Sequence, residues 1–314
     1  MDAPLWSPSQ SQIQQSAMQQ FIEWINTKHA LQIQDYTQLH LWSVSETALF
    51  WQSVSQWCEL IFHSEAQAIF KPAAHMIDSQ WFPGSSLNFA ENCLHTQNDS
   101  VAIIETNEKN QTKKISYREL YQAVSQLALY LRQLGITSKD RVAICLPNNA
   151  TAIITMLATA SIGATFTSCA PEFGLDAILD RLGQIQPAVL VGVLEHTYDS
   201  KTHCHIKKLQ QLNEALPLKK LIIDDTHTED THAPTIPNSI RLSELPTTDQ
   251  PIIFSPQAFN HPLYILFSSG TTGQPKGIVH SVGGTLLQHK KEHQLHCDIN
   301  DNSVVFFYTT TGWM

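Results

Sequence analysis

Residues 141–169 read RVAICLPNNATAIITMLATASIGATFTSC, and the fold is decided there. Arg141–Leu146 is a short apolar run, Pro147-Asn148-Asn149 breaks it, Ala150–Ile162 forms an apolar helix, and Gly163 precedes a second apolar run, Ala164–Cys169. Strands without a polar face need cover on both sides, and a strand–helix–strand unit joins parallel neighbours. The alternation continues through helix Leu175–Gln184, strand Ala188–Val193, a helix near His205–Leu216 and strand Leu221–Asp224. It starts earlier, with strand Val101–Glu105, the polar turn Asn107–Lys113 and a helix carrying Leu120, Val124, Leu127, Leu131 and Leu134 at helical spacing. Ser116 and Glu119 cap the front of that helix, and Gly135 suits its end. The reading is an α/β fold on a mostly parallel sheet flanked by helices.

Towards the N-terminus the pattern is mostly helical. Ile13, Phe21, Ile22, Trp24 and Ile25 mark one amphipathic stretch, and Leu49, Val54, Trp57 and Ile61 mark another, with Ser43 and Glu46 as a capping box at its start. Trp81-Phe82-Pro83-Gly84 is a turn, and Leu87, Ala90, Glu91 and Leu94 begin one more short helix. Residues 1–97 are therefore expected to form a helical cap, followed by the main domain at 98–314. Thr226–Asn260, rich in Thr, Pro, Asp and His, reads as a long surface connection with at most one short strand.

The 314 residues allow roughly two domains. Nineteen Lys and Arg against 28 Asp and Glu give a net charge of −9, which argues against a nucleic-acid partner. No apolar run approaches the roughly 18 residues of a membrane span, and Met1-Asp2-Ala3-Pro4 is unlike a secretory leader, so a cytoplasmic protein without a membrane partner is expected. The six cysteines include no C-x-x-C pair and read as reduced and structural.

The chemistry is concentrated later. Strand Pro262–Phe267 opens into Ser268-Ser269-Gly270-Thr271-Thr272-Gly273-Gln274-Pro275-Lys276-Gly277, followed by Ile278-Val279-His280. Glycines let a backbone approach an anion closely, amides and four hydroxyls donate to phosphate oxygens, and Lys276 adds a mobile positive charge. Ser268, Ser269, Thr271 and Thr272 are read as hydroxyl donors, Gly270, Gly273 and Gly277 as conformational enablers, and Gln274-Pro275 as the turn delivering Lys276, the candidate catalytic residue. The spacing fails the Walker A pattern, because Pro275 stands where its second glycine belongs and Gly277 follows the lysine. A strand–loop–strand clamp on a polyphosphate fits better than an ordinary turn.

This ten-residue run resembles the phosphate-binding signature of the adenylate-forming superfamily. Trp81-Phe82-Pro83-Gly84-Ser85-Ser86-Leu87-Asn88-Phe89-Ala90-Glu91-Asn92 is similar to the entry segment of acetyl- and acetoacetyl-CoA synthetases. The acetoacetyl-CoA synthetase family is favoured by Pro171-Glu172-Phe173-Gly174 with Leu179–Ile185, by Gly283–His289 and by Thr309-Thr310-Thr311-Gly312-Trp313-Met314. The resemblance spans residues 36–314; Glu172 for an expected Asp and Phe267 for an expected Tyr depart from it.

The resemblance implies a helical cap followed by the first, truncated part of the large adenylate-forming domain. It implies ligation of acetoacetate to CoA with ATP and Mg²⁺: an acyl-adenylate and pyrophosphate form first, then the CoA thiol displaces AMP. It places Trp313 beside the acyl pocket, with core packing as the alternative. The family's adenine, ribose, hinge and adenylation-lysine motifs would fall beyond Met314, so a fragment inactive alone is expected, with a separately encoded C-terminal half as a candidate partner. An acetyl- or propionyl-CoA synthetase-like ligase and a non-catalytic nucleotide-binding remnant are the alternatives.

His289-Lys290-Lys291-Glu292-His293 matches H-x-x-E-H, and His296 extends that face, but the lysines oppose a dication and no metal site is expected. His203-Cys204-His205 reads as the solvated face of a basic helix.

Overall fold

The computed structural model describes residues 5–226, 235–268 and 273–313. These residues group into two units. One comprises residues up to Leu87 with Ala258–Asn260 and Gly283–Phe307; the other comprises Asn88–Gln257, His261–Val282 and residues from Tyr308 onward.

The first unit holds helices α1 (Gln10–Gln15), α2 (Ala17–His29), α3 (Tyr36–Ser45) and α4 (Thr47–Trp57). Ser16 ends α1 and caps α2, its hydroxyl accepting from Gln19 N–H, so the first expected amphipathic stretch is two helices. Phe21 is fully buried, with its ring edge-on to Trp57 at 5.6 Å and to Phe50 at 6.3 Å. The Ser43–Glu46 capping box is not formed. Asp35 caps α3 by accepting from Gln38 N–H at 2.8 Å, whereas Ser43 lies inside that helix and bonds back to the His40 carbonyl. The segment is less helical than expected, because Phe62–Ser64 pairs with Ser86–Leu87 and Phe70–Lys71 with Gln80–Trp81.

The second unit begins with α5 (Phe89–Cys93), the hairpin β1 (Val101–Thr106) and β2 (Thr112–Ser116), and α6 (Tyr117–Gln133). Strand β2 was not expected; Lys113 and Lys114 give it an exposed, polar start. The central elements follow: β3 (Arg141–Cys145), α7 (Ala150–Ser161), β4 (Thr165–Cys169), α8 (Leu175–Ile185), β5 (Val189–Val193), the hairpin β6 (Glu195–Tyr198) and β7 (Lys201–Cys204), α9 (Ile206–Ala215), β8 (Lys220–Asp224) and β9 (Ser239–Arg241). Strands β10 (Pro262–Ser268) and β11 (Lys276–Ser281) complete a seven-stranded sheet in the order β9-β8-β5-β3-β4-β10-β11. All its neighbours are parallel except β10 and β11. Helix α10 (Val282–Lys291) follows.

Both faces of the central strands are buried, as their unbroken apolar runs require. Ala143, Cys145, Leu190, Leu221 and Ile223 pack with Ile178 and Leu182 of α8 and Leu209 and Leu212 of α9. The alternate residues Val142, Ile144, Val189, Val191 and Ile222 are fully buried as well. Each such side chain contributes about 1.5–3 kcal/mol on burial. At the end of α7 the chain turns through Gly163 at φ 80°, where a Cβ would run into the Gln257 amide. Within the expected connection Thr226–Asn260, the described residues 235–260 are less of a surface loop than expected: β9 joins the sheet, Gln257–Ala258 forms a second short strand, and Ile236, Leu245 and Ile252 are buried.

Asn88 ties distant parts of this unit together. It is 1% exposed, its Oδ1 caps α5 at Glu91 N–H, and its Nδ2 donates to the carbonyls of Ala160 (3.0 Å), Ser161 (3.1 Å) and Ser255 (2.9 Å).

The loop after β4 is clamped by side chains. Lys208 Nζ donates to the carbonyls of Pro171 and Phe173, and the Arg181 guanidinium lies 4.9 Å from the Phe173 ring centre. Glu172 Oε1 accepts from His196 Nε2 at 3.0 Å, leaving His196 Nδ1 to accept from His205 Nε2 at 2.7 Å. His203, Cys204 and His205 therefore do not share a helix face. His203 and Cys204 end β7, and His205 is 6% exposed at the start of α9. Burial, with the positive charge of Lys208 next, pushes the His205 imidazole down to about 4.

Two outcomes follow from these contacts. Asn88→Ala removes the cap of α5 and both donated protons, while the Ala160, Ser161 and Ser255 carbonyls keep bonds from Gly163 N–H, Ser255 N–H and Gln257 Nε2, so urea unfolding is expected to show a loss of about 2–4 kcal/mol; under 1 kcal/mol contradicts this account. For His205, the unfolded chain binds a proton between the ordinary pKa near 6.5 and about 4 while the folded chain does not. Its stabilising contribution is thus complete above pH 6.5 and is lost as pH falls towards 4. The stability gap between wild type and His205→Gln should shrink from pH 7 to pH 4.5, and an unchanged gap in urea titrations refutes the assignment.

Candidate functional site

In a sheet of parallel strands every carboxyl end opens at one edge, and ligands gather where successive crossovers diverge. Here α7 leads from β3 to its neighbour β4, while α8 leads from β4 across to β5 on the other side of β3. The divergence lies between β3 and β5. A cavity of about 560 Å³ lies there, lined by Asn148 and Asn149 after β3, Glu195 and His196 after β5, and Asp224 and Thr226 at the end of β8.

Some of its donors, those of Asn149 and Thr226, are committed to the chain's own carboxylates. Glu105 Oε2 accepts from Ala150 N–H in the first turn of α7, at the positive end of the helix dipole. Asp224, 2% exposed, accepts from Asn149 Nδ2 at 2.8 Å and from the Thr226 amide and hydroxyl at 3.1 and 2.6 Å. An added phosphate would meet these carboxylates first.

The hairpin on the far side of β4 is arranged differently. Tyr264 and Ile265 of β10 pair with Phe166 and Thr167 of β4, so Ser268 and Cys169 finish at the same edge. Ser268 pairs with Lys276, closing the loop between β10 and β11. Lys276 is exposed, and among the described residues its ammonium has no hydrogen-bond or ion-pair partner. Of the expected phosphate-binding residues, Ser268, Gly273 and Lys276 are described, while Ser269, Gly270, Thr271 and Thr272 lie outside the described residues. Gly277 does not serve through a positive φ. It sits in β11, where a Cβ would come within 3.2 Å of Ile265 Cγ2 and 3.3 Å of Phe267 Cε1, so its role is to leave room for the facing ring.

The segment before Trp313 also reaches the carboxyl edge. Asn148 Nδ2 donates to the Thr309 carbonyl and Asn148 Oδ1 accepts from Thr311 N–H, while Ser168 and Thr311 hydroxyls are 2.8 Å apart. A Cβ on Gly312 would lie 3.1 Å from the Ser168 carbonyl oxygen. Trp313 is 75% exposed, so it is not a core residue, and the apolar run Val304–Tyr308 ahead of it joins no ladder and is exposed.

His289 and His293 stack at 6.1 Å, but α10 gives way to a π-turn at Glu292–His296, and Glu292 pairs with Lys291 at 2.8 Å. Cys58, Cys145 and Cys169 are buried, and burial pushes the first thiol up to about 11 and the other two to about 12. Cys204 and Cys297 are exposed, so the cysteines are not uniformly core residues. No helix among the described residues is long and apolar enough to cross a membrane. The clamp on the loop after β4 had no sequence signal of its own beyond the adjacent histidines.

Comparison with known proteins adds an independent line. Residues 89–314 match the model of the AMP-binding enzyme family, and residues 36–93 match the acetyl-coenzyme A synthetase N-terminus. The chain is 40% identical to acetoacetyl-coenzyme A synthetase of Rhizobium meliloti (strain 1021), with 100% of this chain and 48% of that protein aligned. It is 39% identical to acetoacetyl-CoA synthetase of Danio rerio, aligned over 99% and 48%. A solved acetoacetyl-CoA synthetase from Streptomyces lividans superposes with a TM-score of 0.94 at 36% identity, covering 99% of this chain and 48% of that one. The chain spans about half the length of these relatives. It belongs to the AMP-binding enzyme family.

Proposed function

We propose that this chain is the phosphate-binding half of an AMP-forming acetoacetate–CoA ligase. The overall reaction converts ATP, acetoacetate and CoA to acetoacetyl-CoA, AMP and diphosphate. The acetoacetate carboxylate attacks the α-phosphorus and pyrophosphate leaves; the CoA thiol then attacks the acyl carbonyl and AMP leaves. The observation that carries the reading is Lys276: an exposed ammonium without a partner among the described residues, at the base of a Gly/Ser/Thr loop on the carboxyl edge.

Lys276 and the Ser268 hydroxyl would hold the β- and γ-phosphate oxygens, stabilising the charge that builds up as pyrophosphate departs. A hydrogen bond to a charged group contributes about 1.5–3 kcal/mol, or roughly 10- to 150-fold in binding or rate. Mg²⁺ would neutralise phosphate charge in this chemistry. Among the described residues no group of three His, Cys, Asp or Glu converges on a metal position, and no step is routed through the ion.

The names of the relatives support acetoacetate as the acid. The match to the acetyl-coenzyme A synthetase N-terminus favours a second reading with acetate or propionate. The reactants are small molecules, and ATP and CoA as reactants argue for the cytoplasm. Turnover is assigned to these residues together with a region equivalent to the second half of the relatives, whether in one polypeptide or two, and these residues by themselves are assigned nucleotide binding.

Calorimetric titration of the chain with ATP should show binding that weakens 10- to 100-fold in Lys276→Ala at unchanged melting temperature. Equal affinities would remove the phosphate role. Acetoacetate-dependent pyrophosphate release is expected only when the chain is co-expressed with the second half of the Streptomyces lividans relative. Release by the chain alone contradicts the division of labour, and faster release with acetate or propionate selects the second reading.

A further inference from the structure

We infer that Gln184 is a positioning residue for Lys276, acting through the peptide group that joins Pro275 to it. The inference rests on the phosphate-binding role proposed above for the hairpin. Gln184 lies in the last turn of α8, and its Nε2 makes two bonds: to the Asp180 carbonyl one turn back, at 2.5 Å, and to the Pro275 carbonyl of the hairpin, at 2.9 Å. An amide nitrogen carries two protons, so one bond anchors the side chain on its own helix and the other is free to reach out.

The platform is rigid. Ile178 and Leu182 of α8 are fully buried. The guanidinium of Arg141, at the start of β3, donates to the carbonyls of Ile185 at 2.7 Å and Gln186 at 3.0 Å, fixing the end of the helix.

At the receiving end, the proline ring fixes φ near −65°, and the peptide plane carries the Pro275 carbonyl and the Lys276 amide together. Holding that carbonyl orients the Lys276 backbone from one side, while the ladder pairing with Ser268 holds it from the other. The lysine side chain itself has no partner among the described residues, so its starting direction is set by these backbone ties. Gln184 reaches the loop from a helix that contributes nothing else to the hairpin's proposed chemistry.

The test compares the intact chain with Gln184→Met, which keeps length and helix propensity but removes the donor, and with Gln184→Lys, which restores one. ATP affinity is read by calorimetry, and amide exchange across residues 273–281 by mass spectrometry. Gln184→Met should bind ATP roughly three- to tenfold more weakly and exchange faster in this segment alone, at unchanged melting temperature, and Gln184→Lys should recover both. Wild-type behaviour of Gln184→Met in either readout overturns the inference, as does a loss that tracks a lower melting temperature and is not rescued. Lys276→Ala separates the two claims. If it binds ATP as wild type does, or if wild type binds none, the phosphate reading falls and this inference with it; if only Lys276→Ala is impaired, the positioning role alone falls.

Discussion

Backbone groups in the middle of a parallel ladder have no alternative partners, because both faces of β3, β4, β5 and β8 are sealed from water. The central sheet can therefore present polar groups to solvent only where its strands stop. At the carboxyl edge it does so with Asn148 and Asn149, the Pro171–Gly174 loop, the β6–β7 hairpin, Asp224 and the β10–β11 hairpin. The chemistry of the molecule follows from that enforced gathering, and none of these loops would be close to another without the buried ladder.

Two parts of this edge carry opposite electrostatic character. In the crevice between β3 and β5, Glu105 occupies the positive end of α7 and Asp224 takes the donors of Asn149 and Thr226. On the β10–β11 hairpin no carboxylate among the described residues pairs with Lys276. Under the proposed function, this contrast would favour a triphosphate at the hairpin over the position that anions take in many open α/β sheets.

Much of this was legible in the sequence because the deciding signals were local. Apolar runs of strand length, the Ser116–Glu119 box and the glycine-rich run each specify geometry within a few residues. What was hidden either lacked the usual local signal or depended on partners far along the chain. The β6–β7 hairpin turns on Asp199 and Ser200, both at positive φ (50° and 59°), a conformation usually signalled by Asn-Gly. Its strands are polar, so no alternation marks them. The histidines looked like a solvated helix face because nothing in the sequence shows that Glu172 and His205 converge on His196. The Ser43–Glu46 spacing misled in the opposite sense: a true capping box needs a helix start, and Asp35 had already supplied one.

Asn88 illustrates what such long-range convergence demands of the chain. Its bonds to Ala160 and Ser255 close loops of 72 and 167 residues. Closure entropy grows only with the logarithm of loop length, so the longer loop is disfavoured over the shorter by only about 0.7 kcal/mol. One amide can therefore fasten segments that are remote in the chain almost as readily as nearer ones, and an insertion in the exposed stretches between them would barely loosen the latch.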